Sequence, residues 1–127
     1  MQGICGLTYP PHFMPVVGDT HQGMLVTVPL WACDLNKPAN TKDIWQILDK
    51  HYDGSLFIEV MPCDMSAGFM DITACNNSNR LELFVFGHET QILLAARLDN
   101  LGKGASGAAV QCMNIACGVD EGLGLQA

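Results

Sequence analysis

"RLDNLGKGASGAAVQCMNIACG", residues 97–118, decides between two folds. Gly102, Gly104 and Gly107 are spaced as G-x-G-x-x-G, the pattern that lets a strand-to-helix turn approach a pyrophosphate. A strand-like run, "QILLAARLD" (91–99), precedes the glycines, and a helix-like run, "AAVQCMNIACG" (108–118), follows them. A dinucleotide-binding unit also needs a second parallel strand, carrying an acidic residue about 20 positions on. After Gly118 only "VDEGLGLQA" follows, so there is no room for that strand, and Asp120 and Glu121 fall in the tail. A Walker A reading fails too, because Lys103 follows Gly102 with no Ser or Thr next. The glycine run needs another explanation.

Outward from that stretch, the pattern is one of short strands. "RLELFVFG" (80–87) sets Leu81, Leu83 and Val85 against Glu82, Phe84 and Phe86, and Gly87-His88-Glu89 predicts a hairpin into "TQILLAARLD" (90–99). A strand feeding a hairpin is not the strand of a parallel dinucleotide-binding sheet. "MLVTVPLWA" (24–32) reads as a strand, and Pro29 predicts an edge position or a bulge. "SLFIEVM" (55–61) reads as another. Thr41 is placed to cap a helix over "KDIWQILDKHY", with Ile44, Ile47 and Leu48 on one face. Residues 8–23 read as loop with a short strand, residues 62–79 as irregular, and 104–117 as a closing helix stopped by Gly118. The expected class is α+β, with a mostly antiparallel sheet and two main helices.

The chain has 127 residues, enough for one domain with a modest core. It is 49% apolar and only 15% charged, against about 25% charged for an average soluble domain. That under-charged surface predicts cover from another domain or a second copy. Net charge is -7 with scattered basic residues, which argues against nucleic acid and acidic membrane surfaces as partners. The first residues do not read as a signal peptide, and no apolar run is long enough for a membrane span. The six cysteines form no C-x-x-C and read as reduced thiols rather than a disulfide framework.

Lys103 sits where a helix dipole disfavours a cation. Either Asp99 compensates it, or Lys103 and the free helix N–H groups face an anion from outside this segment. The small residues Ala105, Ser106, Gly107, Ala108 and Ala109 permit close approach, and Val110, Met113 and Ile115 leave little polar face. Such a helix is expected to be covered all round, which in a small domain requires cover from outside the domain as well. Cys5, His12 and His21 match no known metal spacing, so no metal site is expected. His51 suits a helix C-terminus, and His88 a solvated hairpin tip. Cys112 and Cys117 fall on different helix faces and read as packing residues.

The segments "RLELFVFG…QILLAARLDNLGKGASGAAVQCMNIACGVDEGLG" and "PPHFMPVVGDTHQGMLVTVPL" resemble the N-acetyl-gamma-glutamyl-phosphate reductases, in their shorter bacterial form. The resemblance implies an NADP-dependent enzyme of arginine biosynthesis that reduces an acyl phosphate to N-acetylglutamate semialdehyde. It implies a cytoplasmic protein built like glyceraldehyde-3-phosphate dehydrogenase. A Rossmann domain comes first, then an α+β catalytic and dimerisation domain whose last helix returns to the Rossmann domain. The glycine run would then approach the cofactor from the second domain. Residues 1–127 would be part of that second domain, without the Rossmann domain, and the likeness makes a homo-oligomer the expected assembly.

The nucleophilic cysteine and acid/base histidine of the family are expected upstream of Met1, so no catalytic residue is assigned within the chain. Asn100, Lys103 and Gly104 carry over as cofactor-side residues and His12 as a residue near the substrate pocket. Gln22 stands where many relatives have arginine, so no substrate contact is carried to it. Two function classes follow. One is part of a reductase, inactive alone. The other is a stand-alone, non-catalytic binding or oligomerisation domain derived from that enzyme.

Overall fold

A computed structural model describes residues 2–63 and 69–127. The elements are α1 (Gln2–Cys5), β1 (Met24–Trp31), a 3-10 turn (Ala32–Asp34), α2 (Thr41–Tyr52), β2 (Ile58–Val60), β3 (Leu81–Gly87), β4 (Gln91–Leu98), a π-helical turn (Gly102–Ser106) and α3 (Gly107–Ala116). The β3–β4 hairpin forms as the alternation predicts. It closes through residues 88–90, with His88 N–H donating to the Gln91 carbonyl at 2.7 Å. Gly87 takes φ +123°, open to glycine at no steric cost.

The strands lie in the order β1-β4-β3-β2. β1 pairs antiparallel with β4 from Met24↔Leu98 to Trp31↔Gln91, and β3 pairs antiparallel with the other edge of β4. β2 pairs parallel with β3. The sheet is therefore mixed, not mostly antiparallel as expected. The chain between β2 and β3 carries the strand start back to the same end, which a tight turn cannot do. β1 is an edge strand, and this accommodates Pro29.

Several sequence expectations are corrected. Asn40, not Thr41, caps α2. Its extended backbone (φ -105°, ψ -177°) lets the side chain accept from Lys42 and Asp43 N–H, while the Asp43 carboxylate accepts from Asn40 N–H at 2.9 Å. The inward stripe of α2 is Ile44, Trp45, Leu48 and Tyr52, and Ile47 is 61% exposed. Trp45 Nε1 donates to the Met61 carbonyl at 2.8 Å and fixes α2 beside β2. No strand forms within residues 6–23, and the 55–61 strand shortens to Ile58–Val60. The irregular stretch 62–79 lies in part, at 64–68, outside the described residues.

The core is Phe57, Phe84, Val85, Ile92, Ala95 and Leu98. Both faces of β3 are covered. Val85 and Ile92 face one layer, with α2 over the β2–β3 side. Phe84 and Glu82 face the other, opposite Ala95 and Arg97. Glu82 is buried between Arg80 and Arg97 and ion-pairs with both. β1 is barely covered, with Val26, Val28 and Trp31 exposed. α3 is not covered all round within this chain. Only Gly107 and Asn114 are buried, while Met113 and Ile115 are more than half exposed.

Candidate cofactor-side site

The glycine run forms the π-helical turn between β4 and α3. Its wide turn follows from three i→i−5 bonds, in which Gly104, Ser106 and Gly107 N–H donate to the carbonyls of Asp99, Leu101 and Gly102. Such turns recur at functional sites. Gly102 lets the turn press onto the preceding loop, since a Cβ there would lie 2.6 Å from the Ser78 carbonyl oxygen. The expected helix start at 104 is thus a π turn, and the α-helix proper begins at Gly107.

Asp99, 2% exposed, organises the turn. Its Oδ1 accepts from Leu101 N–H at 2.8 Å and Gly102 N–H at 3.1 Å, and its Oδ2 from Asn77 N–H at 2.7 Å. Burial pushes the carboxyl pKa up, but these backbone donors outweigh it and hold the pKa below the ordinary aspartate range. Asn100 follows, and its Oδ1 accepts from Gly23 N–H at 2.8 Å. Among the described residues its amide nitrogen makes no hydrogen bond, leaving a donor at the turn. Gly104 and Ala105 present small, exposed surface beside it.

Lys103 does not point off the start of the helix. Its Nζ runs along α3, donates to Gln111 Oε1 at 2.6 Å and lies 5.4 Å from the centre of the Phe57 ring. Burial lowers the ammonium pKa, partly offset by Cys112 and Glu121. Gln111 also takes a bond from Asn79 and donates to Glu121, so Lys103 braces α3 against the tail. Asn114 Nδ2 holds that tail by the carbonyls of Glu121 and Leu123, and the Gln126 carbonyl accepts from Asn79 N–H. A cavity of about 160 Å³ lies here, lined by Asn77, Asn79, Gly102, Ser106, Gly107 and Gln126 among others. The Asn79 Oδ1 is buried, with no partner among the described residues.

The structure brings Asn100, Lys103 and Gly104 together on one turn. It places His12 apart, on the exposed, irregular arm of residues 6–22. Asp99 and Gln22 were not singled out by sequence as site residues, though both lie in the motifs quoted. A larger groove of about 570 Å³, around Cys33, Pro38, Asn40, Asp43 and Glu89, lies at the opposite end of the sheet, where Asn40 and Asp43 already serve the α2 cap.

Cys112 and Cys117, expected as packing residues, are not buried in this chain. Cys5, Cys33, Cys112 and Cys117 are exposed, and Cys63 is half-buried. Cys75 is the buried one, and burial raises its pKa, with the Arg80 side chain opposing. All four histidines are exposed, and among the described residues no hydrogen bond joins a cysteine to a histidine.

Residues 1–100 match the family model described as "Semialdehyde dehydrogenase, dimerisation domain". The chain belongs to that family. Its domain is of the glyceraldehyde-3-phosphate dehydrogenase-like kind, which agrees with the α+β architecture seen here. The chain is 47% identical over 127 residues to N-acetyl-gamma-glutamyl-phosphate reductase 2 of Nostoc sp. strain PCC 7120, covering 94% of this chain and 39% of that protein. It is 47% identical over 109 residues to N-acetyl-gamma-glutamyl-phosphate reductase of Rhizobium meliloti, and 44% identical over 112 residues to that of Brucella ovis. These matches cover 83% and 85% of this chain, and 35% and 36% of those proteins. The resemblance read from the motifs therefore holds. The chain spans well under half the length of the curated relatives it matches. Among the described residues, no helix is long and apolar enough to cross a membrane.

Proposed function

We propose that this chain is the C-terminal part of an NADP-dependent N-acetyl-gamma-glutamyl-phosphate reductase of arginine biosynthesis. It supplies the sheet, a subunit interface and one wall of the active site. The observation that carries this reading is the 47% identity to a reductase across 94% of the chain. The Asn100–Ser106 turn supports it locally, because the Asn100 amide, without a partner among the described residues, stands beside small, exposed residues that a flat ring can approach. In this reading Asn100, Lys103 and Gly104 lie on the cofactor side. Lys103 contributes there by holding α3 and its turn in place. His12, on the arm, lies near the substrate pocket.

Acyl-phosphate reduction by this route needs a thiolate to take the acyl group and a histidine to move protons. The nicotinamide, when bound, supplies the hydride. As the resemblance implies, we place both groups in a preceding catalytic segment beside a Rossmann domain, and infer that the 127 residues alone are inactive; the match to 39% of the Nostoc reductase supports this. The protein would be cytoplasmic and a homo-oligomer, with β1 and the arm offering apolar surface.

In the reductase polypeptide carrying this segment, Lys103→Met is expected to weaken cofactor or acyl-phosphate use by about 1–3 kcal/mol, as for a lost charged hydrogen bond. Unchanged kinetics would show that the Lys103–Gln111 brace has no bearing on cofactor use and remove Lys103 from the site.

A further inference from the structure

The Asp99 carboxylate joins two parts of the chain that are far apart in sequence. Its Oδ1 holds the Leu101–Gly102 turn, and its Oδ2 accepts from Gln22 Nε2 at 3.2 Å. That same amide nitrogen donates to Asn77 Oδ1 at 2.9 Å, and the Gln22 carbonyl accepts from Asn76 Nδ2 at 3.2 Å. The next residue, Gly23, donates to Asn100 Oδ1. Gly23 takes φ +115°, and a Cβ there would lie 2.5 Å from the Ile72 carbonyl oxygen. The root of the arm is therefore fixed in place on the turn. A carboxylate withdrawn from water needs its full set of donors, and Gln22 supplies the one that comes from the arm.

We propose that Gln22 is a positioning residue. Through Asp99 and Asn77 it sets the 100–104 turn, so that the seating of the arm determines how Asn100 and Gly104 meet the cofactor. The identity of that ligand rests on the reductase reading above. The charged and titratable groups at this junction are Asp99 itself and His21.

The test uses the reductase polypeptide that carries this segment, with Gln22→Leu and Gln22→Glu. Gln22→Leu is expected to raise the KM for NADPH roughly tenfold while kcat stays within about twofold, the size of one lost hydrogen bond to a charged group. While its own carboxyl is protonated, Gln22→Glu keeps one donor for Asp99 but loses the one to Asn77 Oδ1, so its KM should rise less than that of Gln22→Leu. Its KM should climb as that carboxyl ionises against Asp99. An unchanged KM in Gln22→Leu, or a pH profile for Gln22→Glu that overlays the wild type, would overturn the proposal. If the wild-type polypeptide oxidises no NADPH with the acyl phosphate, the reductase reading fails instead. Hydrogen exchange then still decides the role of Gln22. The Leu101 and Gly102 amides should exchange about tenfold faster in Gln22→Leu, and equal rates would overturn it.

Discussion

Replacing Glu82 with glutamine keeps the volume of the side chain and removes its charge. The Glu82 side chain is 1% exposed, and Arg97, at 12%, bonds it through both Nε (2.7 Å) and Nη2. Arg97 cannot easily return to water, because it also donates to the Asp71 carbonyl at 2.9 Å and lies over the Phe84 ring. Arg80 is 39% exposed and can rehydrate. Breaking a buried ion pair from one side costs about 3–5 kcal/mol, and the rehydration of Arg80 sets the expectation near the lower end, at about 3 kcal/mol. For a domain of this size that is a fall in Tm of roughly 10–15 °C. Arg80→Gln should cost only about 1 kcal/mol, as for a partly exposed pair. Urea unfolding followed by circular dichroism measures both. A loss below about 1 kcal/mol for Glu82→Gln, or equal losses for the two variants, would refute the view that Glu82 and Arg97 form the buried half of the cluster.

Alkylation followed by mass spectrometry should label Cys5, Cys33, Cys112 and Cys117 first and Cys75 last. Labelling of Cys75 at the rate of the exposed thiols would contradict its burial. The carboxyl of Asp99 is held below its ordinary range, so its contribution to stability is present above about pH 4 and is lost as pH falls through the lower folded-state value. Asp99→Asn should remove part of that acid-side loss in denaturation profiles, and an identical acid limb would show that another carboxyl carries it. Sedimentation at micromolar concentration should show self-association through the under-charged surface, and a clean monomer would count against it.

The sequence carried the hairpin, the edge position of Pro29 and the helix over residues 41–52 because each rests on local periodicity or backbone chemistry. The hairpin pattern also argued against a dinucleotide-binding strand before the glycine run, and β4 pairs antiparallel on both edges. Other features were not legible because they depend on distant partners. The parallel placement of β2 depends on where residues 61–80 take the chain. Cys75 lies in the polar run "ACNNSN" and is nonetheless buried, while Cys112 in the apolar α3 and Cys117 just after it are exposed. Lys103 looked like a cation at a helix start, but its long side chain reaches Gln111, about two turns on. The Gln22–Asp99 bond spans 77 positions, and no pattern within either motif announces it.

The most direct test of the reductase reading is NADPH oxidation with N-acetyl-gamma-glutamyl phosphate, measured for the purified 127-residue chain and for a polypeptide in which it follows the dinucleotide-binding domain that the proposal assigns to it. The account predicts no turnover from the 127 residues and acyl-phosphate-dependent turnover from the longer polypeptide. A longer polypeptide without activity would contradict it. So would turnover by the 127 residues that disappears when one of the six cysteines is replaced, because the active site would then lie wholly within this chain.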